Sequence, residues 1–250
     1  MSLPVIFKPK KYELIRCGRN NDGGYLVTKE MILKSSCLIS LGILDDCSFE
    51  GDFKKINPVE IYCYDMLNYN SYWKRRIFND AGASLYNLNF DYFKNTITRY
   101  FEFKKFFKDK SNFLLRKIIK ENSLREILRN ETKIKHPFFL KIDIEGSEYR
   151  LLNEIIELKN QLSGLIIEFH DLDLNLKKVE EFVKKIDFRL THVHANNFSR
   201  SVKDIPVVLE MTFEKNPILL GENVVLPHEL DQPNNPQSKE IFLKFNNLPI

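Results

Sequence analysis

The sequence predicts a doubly wound α/β fold built on a mostly parallel sheet, and three observations carry that prediction. Short apolar runs alternate with stretches of helical pattern, and the connections between them are brief. Four of the runs, Ile39-Ser-Leu-Gly42, Ile61-Tyr-Cys-Tyr-Asp65, Phe138 to Glu145 and Leu165-Ile-Ile-Glu-Phe-His170, stop abruptly at glycine, acid or histidine. Alternation with short connections implies parallel strands joined by helical crossovers. In such a sheet ligands bind outside the carboxyl ends of the strands, so these polar tips form the candidate site.

The elements follow in order. After a polar start, Asn20-Asn-Asp-Gly-Gly-Tyr25 has the composition of a tight turn ahead of Leu26 and Val27. Residues 37–43 make a first buried strand, and Asp45-Asp-Cys-Ser48 supplies capping side chains for a helix running to about residue 55. Residues 59–65 are a second strand, 69–78 a helix with the single tryptophan, Trp73, and 84–90 a short third strand. Residues 91–122 break the rhythm as a basic helical insertion between strands three and four; within it, 91–120 hold nine Lys/Arg against three Asp/Glu. A solvated amphipathic helix pair explains the segment, and a substrate lid touching an anionic surface is the sharper alternative.

Ser123-Leu-Arg-Glu126 reads as a capping box opening a short helix. Then come a strand at 137–144, a helix at 147–159, a strand at 164–169, a helix at 174–186, and strands at 188–194 and 207–213. The last two have no helical pattern between them, so they pair antiparallel through a turn at 199–206. The Pro/Asn-rich tail, 227–250, reads as irregular, and residues 1–250 as one domain.

Composition narrows the class. Hydrophobic residues at 43% and charged residues at 29% suit a soluble globular enzyme, and a formal charge of +4 argues for neither a nucleic-acid nor a membrane partner. Four cysteines, spaced 20, 10 and 16 apart without a C-x-x-C pair, predict reduced structural thiols. No signal peptide precedes the first elements and no apolar stretch approaches the ~18 residues of a membrane span, which predicts a cytoplasmic protein.

The strand tips suggest a chemistry. Gly42 ends the first strand, and Asp65, ending the second, sits where an acid accepts hydrogen bonds from a ribose diol. The turn lacks G-x-G-x-x-G and carries Asp45 and Asp46, which would repel a pyrophosphate. It suits a nucleoside with a cationic group, such as S-adenosylmethionine, better than NAD; alternatively the two aspartates are helix caps. Asp143 and Glu145 can hold a cofactor ammonium, ligate a hard divalent cation or serve as a base. In the structural alternative Asp143 orients Lys141 or caps the next helix. His170 follows the fifth strand, and His192 and His194 share one face of the sixth, so three of the five histidines gather at adjacent strands as candidate bases. With Asp143 they offer a transition-metal site, but no firm metal spacing is present.

The run Leu140-Lys-Ile-Asp-Ile-Glu-Gly-Ser-Glu148 resembles the signature of FkbM-type, S-adenosylmethionine-dependent methyltransferases. Asn21-Asp-Gly-Gly-Tyr25, Leu41 to Glu50, His192-Val-His-Ala-Asn-Asn197 and Leu230-Asp-Gln-Pro-Asn-Asn-Pro236 are similar to blocks of the same family. The resemblance implies a class I (Rossmann-like) methyltransferase fold, a seven-stranded sheet with one antiparallel strand, and O-methylation. It implies that Gly42, Asp46 and Ser48 line the methionine and ribose side, Asp65 holds the ribose hydroxyls and Met66 packs near adenine. Asp22, Gly23, Gly24 and Tyr25 would close over the pocket, with Glu145 beside the cofactor. Leu44 stands where many members carry a second glycine. The catalytic candidates are His170, His192 or His194 as base, with Asp143 orienting; a divalent metal is the less favoured cofactor. The expected acceptor is a hydroxyl on a sugar or glycan precursor for capsule or polysaccharide, including anionic forms, with a homodimer as a permitted assembly. Two rivals remain: a metal-dependent glycosyltransferase using Asp171-Leu-Asp173 as D-x-D, and a catalytically silent binding module. An RNA substrate has no supporting binding module.

Overall fold

A computed structural model describes residues 2–131 and 133–246. Seven strands form the central sheet: β1 Cys37–Leu41, β2 Glu60–Asp65, β3 Asn112–Arg116, β4 Phe138–Ile142, β5 Leu162–Phe169, β6 Arg189–Ala195 and β7 Leu209–Glu214. Their spatial order is β3-β2-β1-β4-β5-β7-β6. Strands β1 to β5 pair parallel, and β7 runs antiparallel to both β5 and β6. This is the doubly wound arrangement that the resemblance implies, with its one reversed strand. The chain direction switches between β1 and β4, and that crevice is where an open α/β sheet receives ligands.

β1, β4 and β5 are buried along their whole length, as expected of strands covered on both faces. Helices α1 Lys29–Lys34 and α2 Ser48–Ile56 cover one face, where Phe49, Phe53 and Phe139 pack together. Helices α5 Ser123–Asn130, α6 Leu152–Leu158 and α7 Leu172–Ile186 belong to the other layer, in which Phe169, Phe182 and Phe213 interlock. Residues 15–18 and 24–27 form a separate antiparallel hairpin, so the Asn20–Tyr25 turn is where its composition places it.

Two long helices, α3 Tyr69–Asn87 and α4 Asp91–Phe106, lie between β2 and β3. The expected third strand at 84–90 is therefore the end of α3 and the turn after it, and the helical insertion precedes β3 rather than following it. The true third strand, Asn-Phe-Leu-Leu-Arg, lies inside the segment read as insertion. It is an edge strand with half-buried side chains, so its apolar signal is short and sits among lysines. The capping box is also absent: Ser123 Oγ accepts from Lys120 N, while Glu126 pairs with Lys117. After β4 the chain makes a short 3-10 turn at Glu148–Arg150 before α6, in place of one continuous helix from 147.

The tail beyond residue 227 is largely irregular through residue 246, and the last four residues lie outside the described ones. It folds back over the end of β6 and β7 through Asp231, Asn234 and Asn235. Among the described residues no helix is long and apolar enough to cross a membrane.

Candidate active site

A cavity of about 460 Å³ opens at the carboxyl ends of β1, β2 and β4, within the range of small-molecule sites. Asp22, Gly23, Tyr25, Gly42, Asp46, Asp65, Met66, Asp143 and Glu145 all line it. Gly24, Ser48, His170, His192 and His194 do not. Gly24 lies in a strand where a side chain would strike the Arg19 carbonyl, and Ser48 Oγ is occupied by the Arg19 amide at 2.8 Å.

The turn after β1 is built by its own backbone constraints. Gly42 has φ +81°, and a Cβ there would lie 1.6 Å from the carbonyl oxygen of Asp143. Only glycine lets the tips of β1 and β4 meet this closely. Leu44 has a left-handed backbone, with φ 44°. Asp65 fixes this turn: one carboxylate oxygen accepts from Ile43 N at 3.2 Å and Leu44 N at 3.0 Å, the other from Leu67 N at 2.9 Å. A carboxylate has about four lone-pair directions; the three amides take most of them and the Tyr69 hydroxyl also approaches this carboxylate.

Charge in this turn is compensated, which corrects the premise that Asp45 and Asp46 await a cation. Asp45 is clamped by Arg76 of α3 at 2.6 Å and Arg99 of α4 at 3.2 Å. Asp46 pairs with Arg19 at 3.0 Å and also accepts from Ser48 N, so it caps α2 as well. Arg76 and Arg99 line the cavity, and no local sequence pattern announces them.

The opposite wall is acidic and poorly compensated. The Tyr25 hydroxyl lies 3.4 Å from Asp143 Oδ2 and 3.2 Å from Glu168 Oε2, one proton between two carboxylates. Burial, then Glu145 and Asp22, push the Asp143 carboxyl up to about 6, against the opposing pull of Lys141 and His170. Burial, Asp143 and Glu210 raise the Glu168 carboxyl well above the usual range, against a hydrogen bond from Asn196. Lys141 is buried and turned toward Glu50, 3.6 Å away, and the Gly42 carbonyl. Glu168 and Glu148 were legible only as acids inside or beside apolar runs.

His170 sits directly behind Asp143 and Glu145. Its Nε2 is 3.5 Å from Glu145 and 4.0 Å from Asp143, and its Nδ1 is 3.4 Å from the fully buried Glu148. Burial alone would lower its pKa, but Glu148, Asp143 and Glu145 outweigh it and the net shift is upward. Asp143, Glu168 and His170 also bring three donor atoms within 4.8 Å of one another.

His192 and His194 do stack on one face, ring centroids 6.4 Å apart, but away from the cavity. The tail covers them: His192 Nε2 meets Asp231 at 3.0 Å, and His194 lies between Glu210 at 3.5 Å and Glu240 at 3.3 Å. Their predicted place as bases is corrected accordingly. Asp171 and Asp173 open α7 and do not line the cavity either.

Comparison with known proteins decides the family. The methyltransferase FkbM domain matches residues 12–192, most of the sheet and both walls of the cavity. The chain belongs to the FkbM methyltransferase family. This FkbM protein is an S-adenosylmethionine-dependent methyltransferase, which sets aside the glycosyltransferase alternative. No curated protein matches it. Among solved structures it resembles an rRNA methylase from Streptococcus thermophilus (11% identity, 75% of this chain and 94% of that one, TM-score 0.40). It also resembles precorrin-6y C5,15-methyltransferase from Geobacter metallireducens GS-15 (13%, 75% and 85%, 0.41). A third is SMU.1697c from Streptococcus mutans in complex with SAH (12%, 74% and 94%, 0.38).

Proposed function

We propose that this FkbM enzyme methylates a hydroxyl of a sugar or glycan precursor, including phosphorylated or nucleotide-linked forms, with His170 as the base. The observation that carries the reading is the His170 environment. Nδ1 lies 3.4 Å from buried Glu148, and Nε2 lies 3.5 Å from Glu145 and 4.0 Å from Asp143, two acids that line the cavity in front of the ring.

The residues present fit S-adenosylmethionine. Gly42 and Gly23 keep the cavity wall free of side chains, Asp65 stands in the lining at the tip of β2, and Met66 and Ile118 offer apolar surface for a base. Asp143 and Glu145 answer a positive sulfur. When bound, the sulfonium supplies a methyl group already activated for transfer. The chain's own work is then alignment and proton removal. The acceptor oxygen forms the new C–O bond in line with the departing sulfur, while its proton passes to His170 Nε2. Glu148 keeps the ring oriented and stabilises the imidazolium. Alignment supplies up to roughly 7–11 kcal/mol of barrier reduction, and a base about 10²–10⁴-fold in rate.

His170→Ala tests this directly. The variant is expected to bind S-adenosylmethionine with wild-type affinity by calorimetry and to lose about 10²–10⁴-fold in turnover on glycan precursors, read as methylated product by mass. Full turnover would remove His170 from the mechanism.

A second reading is favoured by the shared Tyr25 proton and the clustered donors: a divalent cation at Asp143, Glu168 and His170. Turnover abolished by EDTA and restored by magnesium or manganese would select it; turnover indifferent to EDTA leaves His170 as the base.

A further inference from the structure

We infer that Asn234 is a positioning residue for the cofactor, acting through Asp22 in the cavity wall. The matched family domain ends at residue 192, so Asn234 and its partner Glu210 both lie beyond it. The inference rests on the reading that the cavity holds S-adenosylmethionine.

Asp22 enters the cavity on the turn of the hairpin formed by residues 15–18 and 24–27, with Gly23 beside it. That turn has little room to move, since a Cβ on Gly23 would lie 2.8 Å from Asp46 Oδ2. Arg16 donates to the carbonyls of Asn21 at 2.6 Å and Arg19 at 3.2 Å. The tail grips the same turn. The Asn21 amide donates to Gln232 Oε1 and the Asn21 side chain to the Pro233 carbonyl, each at 2.9 Å. This part of the tail is itself anchored at the edge of the sheet: Asp231 meets His192 of β6 at 3.0 Å, and Asn235 N donates to Asn197 Oδ1 at 2.6 Å. Residues 231–235 thus strap one wall of the cavity to β6.

Asn234 is the member of the strap that reaches a lining side chain. It is 2% exposed, and its Nδ2 donates to Asp22 Oδ1 at 3.3 Å and to buried Glu210 Oε1 at 2.7 Å. Its own Oδ1 is buried without a partner. Buried amides ordinarily satisfy both ends. Turning this one over would set its oxygen against two carboxylates, so the acids dictate its orientation. The donor matters to Asp22 because the surroundings are acidic. Burial pushes the Asp22 carboxyl up, Glu210 and Asp46 add to that, and the hydrogen bond from Asn234 is the largest influence against it, ahead of Arg99. Without that bond Asp22 is less fixed and less readily charged, and the charged form is the one that attracts a cationic ligand. Asn234 does not line the cavity, so its effect on the cofactor passes through Asp22.

A double-mutant cycle on cofactor binding tests this without any methyl transfer. Isothermal titration measures S-adenosylmethionine and S-adenosylhomocysteine on the full chain, on Asn234→Leu, on Asp22→Asn and on the pair. Leucine keeps the branched shape of asparagine and removes its donors. Expected is a loss of about tenfold in S-adenosylmethionine affinity for Asn234→Leu, with a much smaller loss for S-adenosylhomocysteine, which lacks the positive sulfur. Made on Asp22→Asn, the same substitution should change affinity by less than about twofold. If the leucine variant fails to fold, Asn234→Ala carries the cycle in its place. Equal losses in both backgrounds would mark a purely structural asparagine and overturn the inference, as would unchanged affinity in the single variant. Should the wild type bind neither ligand, the cofactor reading falls and this inference with it. Wild-type binding with no coupling to Asp22 sinks this inference alone.

Discussion

Replacing Gly42 with alanine probes the junction on which the cavity depends. The new Cβ would lie 1.6 Å from the Asp143 carbonyl oxygen and 2.7 Å from its carbon, with Ile144 Cγ2 at 3.2 Å. The clashing atoms are backbone, so no side chain can swing away. Relief requires the tips of β1 and β4 to separate by more than about 1 Å, since ordinary contact needs at least ~3.4 Å. The left-handed φ of +81° adds about 1–2 kcal/mol for a residue with a Cβ. Overpacking adds a further ~1–3 kcal/mol, here toward the upper end. A total of about 3–5 kcal/mol corresponds to roughly 6–20 °C in melting temperature for a chain of this size. Separation of the two tips also displaces the turn held by Asp65 from Asp143, so S-adenosylmethionine affinity should fall by more than about tenfold, a change of about 1.4 kcal/mol. Calorimetric melting and isothermal titration read both effects. A melting temperature within about 2 °C of wild type, together with unchanged affinity, would refute the close approach as drawn.

Three further outcomes follow from neighbouring details. Leu44→Gly releases a left-handed leucine with φ 44°; the strain of about 1–2 kcal/mol offsets the greater chain entropy of glycine, so stability should hold or rise slightly in a urea melt. A clear loss would mean that the leucine side chain matters more than its backbone. Glu148→Gln removes the neighbour that raises His170; the acid limb of kcat/KM should move to lower pH while cofactor affinity stays constant. An unmoved limb would assign that limb to another group. His194, held up to about 9 from 6.5 by Glu210 and other acids despite burial, contributes stability that is full below pH 6.5 and lost as pH rises through about 9. The ceiling is about 3 kcal/mol. The melting-temperature gap between wild type and His194→Gln should narrow across that window, and a constant gap would contradict the shift.

How much of this was readable from the chain depends on the distance over which each feature is made. β1, β2, β4 and β5 announce themselves because a strand covered on both faces must be apolar throughout. Their tips then stand out as the places where glycine or charge begins, which is why Gly42, Asp65, Asp143 and Glu145 could be placed on the cavity. The third strand failed for the complementary reason. Phe113 to Leu115 are half-buried at an edge, whereas the apolar residues of 84–90 belong to a helix end that leaves them in water. Period-two spacing correctly put His192 and His194 on one face, but periodicity does not say what covers that face; Asp231 comes from 39 residues away. The Arg99–Asp45 contact spans 54 residues and leaves no local trace.

The two ends of the cavity differ in a way that has a measurable consequence. At the β1 turn every acid has an arginine: Asp45 has Arg76 and Arg99, and Asp46 has Arg19. At the β4 tip, Asp143, Glu168 and Asp22 crowd one another, and burial raises all three. A cation placed among them favours their ionised forms, so binding a sulfonium must release protons where these groups are still protonated. Among them the Asp143 carboxyl is pushed up to about 6. The affinity for S-adenosylmethionine should therefore increase as pH rises through about 6. S-adenosylhomocysteine lacks the positive sulfur and should show a much flatter dependence. Titrations of both ligands across that range, in buffers of different ionisation enthalpy to count released protons, separate the two cases. Parallel pH profiles for the two ligands would mean that the acidic wall faces something other than the sulfur.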